Sequence, residues 1–395
     1  MNRRIGVGLV GVGWMGRLHS RAYLAVPDHY PELQVMPALI SAADPVAANV
    51  DDAVNRQGFE RGTTDYQQVI DDPEVDVVSI CAPNFLHREV ALAAAAAGKP
   101  FWIEKPMGRN ASESADIFSA VQASGVITCV GFNYRNAPAI QKARSLIRDG
   151  AIGSVTNVHV RLLADYSADP RGALSWRFKR ESAGSGVMGD LLSHGIDLAQ
   201  FLAGDVAKVS AMTETFIRER PLPSPTGGSH FSLGSGESAP VENEDWAAVM
   251  VRFRNGATGT FESSRVAVGP RAEYSIEIYG TQGALRWNFM RLNELDVVLG
   301  HNGRDDYGFA TVMASPGFGD FSRFQPGAGT SMGFDDLKTI EAARFLESVV
   351  SGVQIAPSVA DGLAAARVVE AAEASAVDGR WHDVEPPVGN TTFNL

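Results

Sequence analysis

Cysteine is nearly absent from this chain: 395 residues contain two, Cys81 and Cys129. Each sits in an apolar run, so buried thiols are expected in place of a disulfide or a metal site. Clusters of Lys and Arg are also missing. The 34 Lys+Arg stand against 46 Asp+Glu, a net charge of −12. With no basic patch or tail, nucleic acid and anionic membrane are not expected partners. No stretch reaches the about 18 uninterrupted apolar residues of a membrane span. The arginine pair in "MNRRIGVGLVG" would suit a secretion signal, but the apolar run breaks at Gly11, Gly13, Gly16 and Arg17 with no A-x-A site after it. A cytoplasmic protein is expected. There is no internal repeat and no low-complexity segment.

What is present is ordinary globular material, 45% hydrophobic and 20% charged. The length suits two or three domains at about 150 residues each. Strand-like runs at Ile5–Val10, Val35–Ala42, Val75–Ile80, Phe101–Ile103 and Val126–Val130 alternate with helical patterns at Gly13–Val26, Phe85–Ala97 and Ser112–Ser124. That alternation predicts a parallel sheet covered on both faces, a doubly wound domain over residues 1–132. Beyond it the pattern changes. Helices are expected at Asn136–Asp149 and Asp190–Leu202. Alternating runs at Val155–Leu163, Val209–Ile217, Trp246–Phe253, Gly259–Arg265, Tyr274–Ile278, Ala284–Trp287 and Leu295–Leu299 predict a large, mostly antiparallel sheet. Asn255-Gly256 is the dipeptide of a type I′ hairpin. Pro221–Ala239 reads as a long Gly/Ser/Pro excursion. Two closing helices, Phe334–Ser351 and Ser358–Ala376, are expected to return to the first domain.

The first strand leads into Gly11-Val-Gly13-Trp-Met-Gly16. In strand–turn–helix context this is a dinucleotide fingerprint, in which Gly11 allows the tight turn, Gly13 admits the pyrophosphate and Gly16 lets helix and strand pack. Trp14 and Met15 belong to the same turn. Asp44, after the second strand, is placed to accept bonds from the adenosine ribose and to repel a 2′-phosphate, so NAD is favoured over NADP. It falls later than the usual ~20 residues, and "PDHYPELQVMP" looks like the insertion responsible. Alternatively Asp44 is only a turn residue before Pro45. Pro83, Asn84 and His87 follow the Val75–Ile80 run, at a strand's carboxyl end where such sheets bind ligands, although Asn84 could cap the helix and His87 could be a surface residue. Glu104 and Lys105 end the next strand beside the same crevice. Asp190 and His194 are four apart, on one face of a helix, after glycines at 184, 186 and 189 that would allow close approach to a ligand. A capped helix with one buried histidine is the plainer reading. Two candidate ligands make a weak metal site, so no metal is expected.

The motifs "GVGWMG", "APNFLH", "EKPMG", "GFNYR" and "GDLLSHGIDL" stand in an order that resembles the Gfo/Idh/MocA oxidoreductases over nearly the whole chain. The resemblance implies an α/β Rossmann domain (1–132) and an α+β C-terminal domain (133–395) with a large, mostly antiparallel open sheet that often forms the subunit interface. It places Lys105, Asp190 and His194 at the family's catalytic positions and Tyr134 and Arg135 near the active site. It also implies that the Lys105–Pro106 bond is cis. "LADYSADP" and "LSWRF" are similar to the branch with levoglucosan, inositol and related sugar dehydrogenases, which makes Asp165, Tyr166, Trp176 and Arg177 candidates for gripping a sugar, or else ordinary loop residues.

Oxidising a secondary alcohol needs a hydride acceptor and a base. His194, with an ordinary pKa of about 6.5, suits the base. Lys105 can stabilise the developing oxyanion, Asp190 can balance the lysine, and Lys105 and His194 could exchange roles. The expected function is NAD-dependent oxidation of a ring hydroxyl of a small neutral sugar, anhydrosugar or cyclitol by a homodimer or homotetramer. An NAD-assisted glycosidase and a non-catalytic cofactor sensor are the alternatives.

Overall fold

The computed structural model describes residues 3–224, 232–300 and 305–388. Six parallel strands form the first sheet: β1 Arg3–Val10, β2 Val35–Ala43, β3 Arg61–Thr63, β4 Val77–Ile80, β5 Phe101–Ile103 and β6 Thr128–Val130. Their order is β3-β2-β1-β4-β5-β6. The chain therefore leaves β1 toward one edge and returns beside it toward the other, and the crevice of such a sheet opens above β1 and β4. Helices Trp14–His29, Asn84–Ala96 and Ala111–Ser124 make the crossovers after β1, β4 and β5. The buried faces of β1, β4 and β5 are almost wholly apolar, as strands covered on both sides must be.

Two local readings change. The first helix runs through Pro27 to His29, because the bond lost at proline falls in the last turn and Tyr30 N–H still reaches the Val26 carbonyl at 2.8 Å. That extension and a 3-10 turn at Pro31–Leu33 account for the delay before Asp44. The edge strand β3 gave no sequence signal, being three residues with none fully buried.

Among the described residues the second sheet has nine strands and is antiparallel except where Thr258–Ser264 runs parallel to Val155–Ala164. One face carries Val158, Val160, Leu162, Val249, Val251, Phe261, Ile276 and Ile278 into the core. The fully buried helix Ser193–Ala203 lies against it, and a Cβ on Gly195 would come within 2.4 Å of Val160. The opposite face presents Trp246, Met250 and Met212, the two methionines 51% and 61% exposed. The turn at Asn255-Gly256 is not type I′. Only Gly256 has positive φ, at +92°, and Phe253 N–H pairs with Ala257 O across three residues, a type I turn closed by a glycine bulge. Asn255 stays right-handed, free to donate to Ala203 O at 2.7 Å. Residues 225–231 of the Pro221–Ala239 excursion lie outside the described residues; its base is an antiparallel pair, Glu219–Pro221 with Ser238–Pro240.

Helix Phe334–Ser351 packs on Trp14–His29, and Val359–Asp378 on Ala111–Ser124, so both closing helices do return to the first sheet. Cys81 and Cys129 are free thiols, Cys129 buried and Cys81 partly so. No helix among the described residues is long and apolar enough to cross a membrane.

Candidate active site

The glycine turn leaves β1 with Gly11 at φ +96°. A Cβ there would lie 2.6 Å from the Cys81 backbone, and one on Gly16 would lie 2.1 Å from Gly11 O. Those two glycines answer to the protein itself. Gly13 does not: nothing lies within 4 Å of its Cβ position. It heads a helix whose first turn has no side-chain cap and no acid. Free N–H groups at an open helix end fit the pyrophosphate of a dinucleotide. Trp14 is exposed, with its ring stacked on Phe334 at 5.8 Å, and Met15 is half-buried. Asp44 braces the turn: one oxygen accepts Val12 N–H at 2.9 Å, and the other accepts Val46 N–H at 2.9 Å and Asn49 Nδ2 at 3.0 Å. It therefore braces the turn, at the same strand end as the glycine loop. Pro83 holds the N-cap position of the helix that Asn84 opens, with no side-chain capping bond, so Asn84 is not the cap. Its amide donates instead to Ala183 O at 3.2 Å.

Lys105 leaves β5 through a cis bond to Pro106. Its ammonium donates to the Asp190 carbonyl at 2.6 Å and to the Asp190 carboxylate at 3.1 Å. Tyr166 Oη donates to the other carboxylate oxygen at 2.8 Å. Burial works to raise the Asp190 pKa, but Lys105, Arg177 and Tyr166 outweigh it and hold the carboxyl below its usual range. Asp190 does not sit in a regular α-helix. Met188–Leu192 is a π turn, and the α-helix starts at Ser193. Such wide turns recur at functional sites, and no periodicity in "GDLLSHGIDL" announces one. His194 follows with its ring 4.7 Å from Tyr134 and 6.3 Å from Phe132. Burial, then the Lys105 charge, pushes its pKa well below the ordinary value, so the imidazole is neutral at pH 7. Its Nδ1 is buried and has no hydrogen-bond partner. Trp176 meets Phe85 edge-on at 6.2 Å, and the Arg177 guanidinium lies 4.4 Å from the Trp176 ring centre.

Other residues picked out by the sequence are turned elsewhere. Arg135 is 3% exposed and buried against Asp197 and Asp361, so its charge is used inside the protein and not on a ligand. Asp165 pairs with Arg271 at 3.0 Å. His87 is no surface residue: its ring is buried between the carbonyls of Pro106 at 2.9 Å and Ala82 at 2.8 Å. Glu104 faces the interior, where it meets His19 at 3.0 Å and Lys338 at 2.5 Å. The glycines at 184, 186 and 189 do allow close approach, but of protein. A Cβ would strike Arg109 O at 2.1 Å, Glu244 O at 2.0 Å and Ser185 Oγ at 2.7 Å respectively.

Two neighbours of the site escaped the sequence reading. Tyr274 stacks with Phe289 at 5.8 Å and lies 5.8 Å from Tyr134; burial and the Asp190 charge raise its pKa. Nothing in its alternating strand marks it. Lys338 did carry a signal, since it and Glu341 fall on the same helical stripe as Phe334, Leu337 and Phe345. Among the described residues no group of three or more His, Cys, Asp or Glu could hold a metal.

Known proteins are similar to this chain in sequence and fold. Residues 5–132 match the oxidoreductase family with NAD-binding Rossmann fold, and 140–286 match the GFO/IDH/MocA C-terminal domain. A levoglucosan dehydrogenase of Pseudarthrobacter phenanthrenivorans is 39% identical over 97% of this chain and 98% of its own. A solved levoglucosan dehydrogenase in complex with NADH and levoglucosan superposes with TM-score 0.91 at 37% identity, over 97% of this chain and 100% of the other. An inositol 2-dehydrogenase of Rhizobium meliloti is 26% identical over 94% of this chain and 97% of its own. With the β3-β2-β1-β4-β5-β6 sheet, the open glycine turn and this extent of identity, the chain belongs to the Gfo/Idh/MocA family of oxidoreductases and is an NAD-dependent dehydrogenase.

Proposed function

We propose that the chain oxidises a ring secondary hydroxyl of a neutral anhydrosugar, sugar or cyclitol to a ketone, with levoglucosan the first substrate to try. The observation that carries this reading is the junction of Lys105 and Asp190 beside an imidazole, His194, that is neutral and has an unpartnered nitrogen. NAD, when bound, accepts the hydride from the alcohol carbon. His194 takes the hydroxyl proton, and its low proton affinity keeps it ready as a base at pH 7. Lys105 donates to the same oxygen and stabilises its negative charge. Asp190 balances the ammonium and, with Tyr166, fixes its direction. Trp176 and Arg177 offer a ring and a donor to the sugar. The cofactor would lie along Gly11, Gly13, Gly16, Trp14 and Met15 and beside Asp44, Pro83 and Asn84. Levoglucosan and inositol come from the relatives' activities, and the aromatic and hydrogen-bonding surroundings agree with such substrates.

Purified protein mixed with NAD or NADP and with levoglucosan, inositols, aldoses or glycosides tests this by absorbance of the reduced cofactor. NADH formation with a free sugar or cyclitol supports it. Aglycone release without NADH would replace it by glycoside cleavage, and no reaction with any of them would leave cofactor sensing. We further propose that the open sheet face around Met212, Trp246 and Met250 joins copies into a dimer or tetramer in the cytoplasm; a monomer by sedimentation would refute the assembly.

A further inference from the structure

Beneath the candidate site lies a buried set of polar groups to which the chemistry above assigns no task. Glu104 is 7% exposed, Lys338 is 1% and Glu341 is 1%. The Glu104 carboxylate accepts from His19 Nε2 at 3.0 Å and from Lys338 Nζ at 2.5 Å. His19 in turn contacts Ser79 Oγ at 3.2 Å, and its ring stacks on Trp102 at 3.4 Å. Lys338 also pairs with Glu341 at 2.8 Å. These groups come from β4, β5, the helix after the glycine turn and the helix Phe334–Ser351. The other Glu104 oxygen turns back to the main chain and accepts the N–H of Lys105 at 3.3 Å. One residue further, the Pro106 carbonyl contacts His87 Nδ1 at 2.9 Å. The backbone that carries the Lys105 side chain is thus held on both sides.

Gly131, of "GFNYR", completes the cradle. A Cβ on it would lie 2.9 Å from Cδ and from both carboxylate oxygens of Glu104. Its φ is not positive, so conformation does not demand glycine there. Space does, because the carboxylate occupies the side-chain position.

We infer that Lys338 is a positioning residue for Lys105, acting through Glu104, and that Gly131 is glycine to seat the Glu104 carboxylate. The closing helix would then set the aim of the lysine that begins at the first sheet. An uncompensated carboxylate buried at Glu104 would not keep its place, since a buried charge needs both a partner and hydrogen bonds. Lys338 supplies the countercharge and His19 a further bond. The inference rests on the reading of Lys105 as the group that polarises the substrate oxygen.

Three variants of the full chain test it: Gly131→Ala, which keeps every charge and displaces Glu104; Lys338→Met, which removes the countercharge of both Glu104 and Glu341; and Lys338→Met with Glu104→Gln and Glu341→Gln, which removes all three buried charges together and guards against failure to fold. NADH titration by fluorescence counts folded sites. Turnover of levoglucosan per NADH site should fall about 10- to 100-fold, with the dissociation constant for NADH within a factor of two, since a small misplacement of a catalytic group costs about that much. An activity-independent readout is acetylation of Lys105 by acetic anhydride, followed by peptide mass spectrometry with exposed Lys179 as reference. The Lys105/Lys179 rate ratio should change several-fold in all three variants. An unchanged ratio, or turnover per site equal to the parent's, overturns the inference. Failure of the underlying reading looks different: Lys105→Met would then turn over as fast as the parent.

Discussion

The Lys105 ammonium reaches both the carbonyl and the carboxylate of Asp190, at 2.6 and 3.1 Å, across 85 residues of sequence. One partner ends a strand of the parallel sheet, and the other sits in a π turn above the mixed sheet. The junction places an ammonium and its counter-ion beside a buried, neutral imidazole.

Removing His194 tests the base. His194→Ala should lower kcat by about 10²- to 10⁴-fold while NADH binds as before. Fluorescence titration and steady-state rates measure both, and a variant with parental kcat would end the assignment.

Lys105→Met should cost about 10²- to 10³-fold in kcat, the usual loss of one oxyanion donor. Asp190→Asn keeps the shape and removes the charge. Its kcat should fall less than that of Lys105→Met, because the Asp190 carbonyl still accepts from the ammonium.

The glycine turn separates folding from binding. Gly13→Val meets open space and should leave the melting temperature within a degree or two while weakening NADH about tenfold or more, because the Cβ enters the path of the pyrophosphate. Gly16→Ala collides with Gly11 O and should melt well below the parent. Equal melting of the two, or unchanged NADH affinity in Gly13→Val, would contradict the division of labour.

The pH dependence has a definite sign. His194 is depressed by burial and by Lys105, so the acid limb of kcat/KM should lie below the free imidazole's value of about 6.5. A limb at or above that value would show the ring to be hydrated and unpaired with this environment. His19 is pushed down to about 4 by burial. The folded state therefore binds fewer protons than the unfolded one, and the stability that the neutral ring contributes is present above about pH 6.5 and lost as pH falls toward 4. His19→Gln should flatten that part of the melting-temperature profile by the equivalent of about 3 kcal/mol.

Arg135 is a structural anchor. Burial opposes its charge, and Asp197 and Asp361 more than restore it. Arg135→Met strands two carboxylates in the core and should cost about 3–5 kcal/mol by urea denaturation. A loss below about 1 kcal/mol would mean the cluster behaves like a surface pair.

The sequence by itself determined the parallel sheet, the glycine turn and the chemistry-bearing residues at strand ends, because helical and strand periods, the glycine spacing and the position after an apolar run are all local signals. It also carried Lys105, Asp190 and His194. Only the tertiary structure decided which charged residues face a ligand and which face the core. Arg135, His87 and Glu104 look in the sequence like site residues, but their partners Asp361, Pro106 and Lys338 are brought to them by the packing of distant elements. The π turn at Met188–Leu192 and the glycine at 131 belong to the same class, since each is fixed by what another segment presses against it, and a one-dimensional pattern holds no distance between segments.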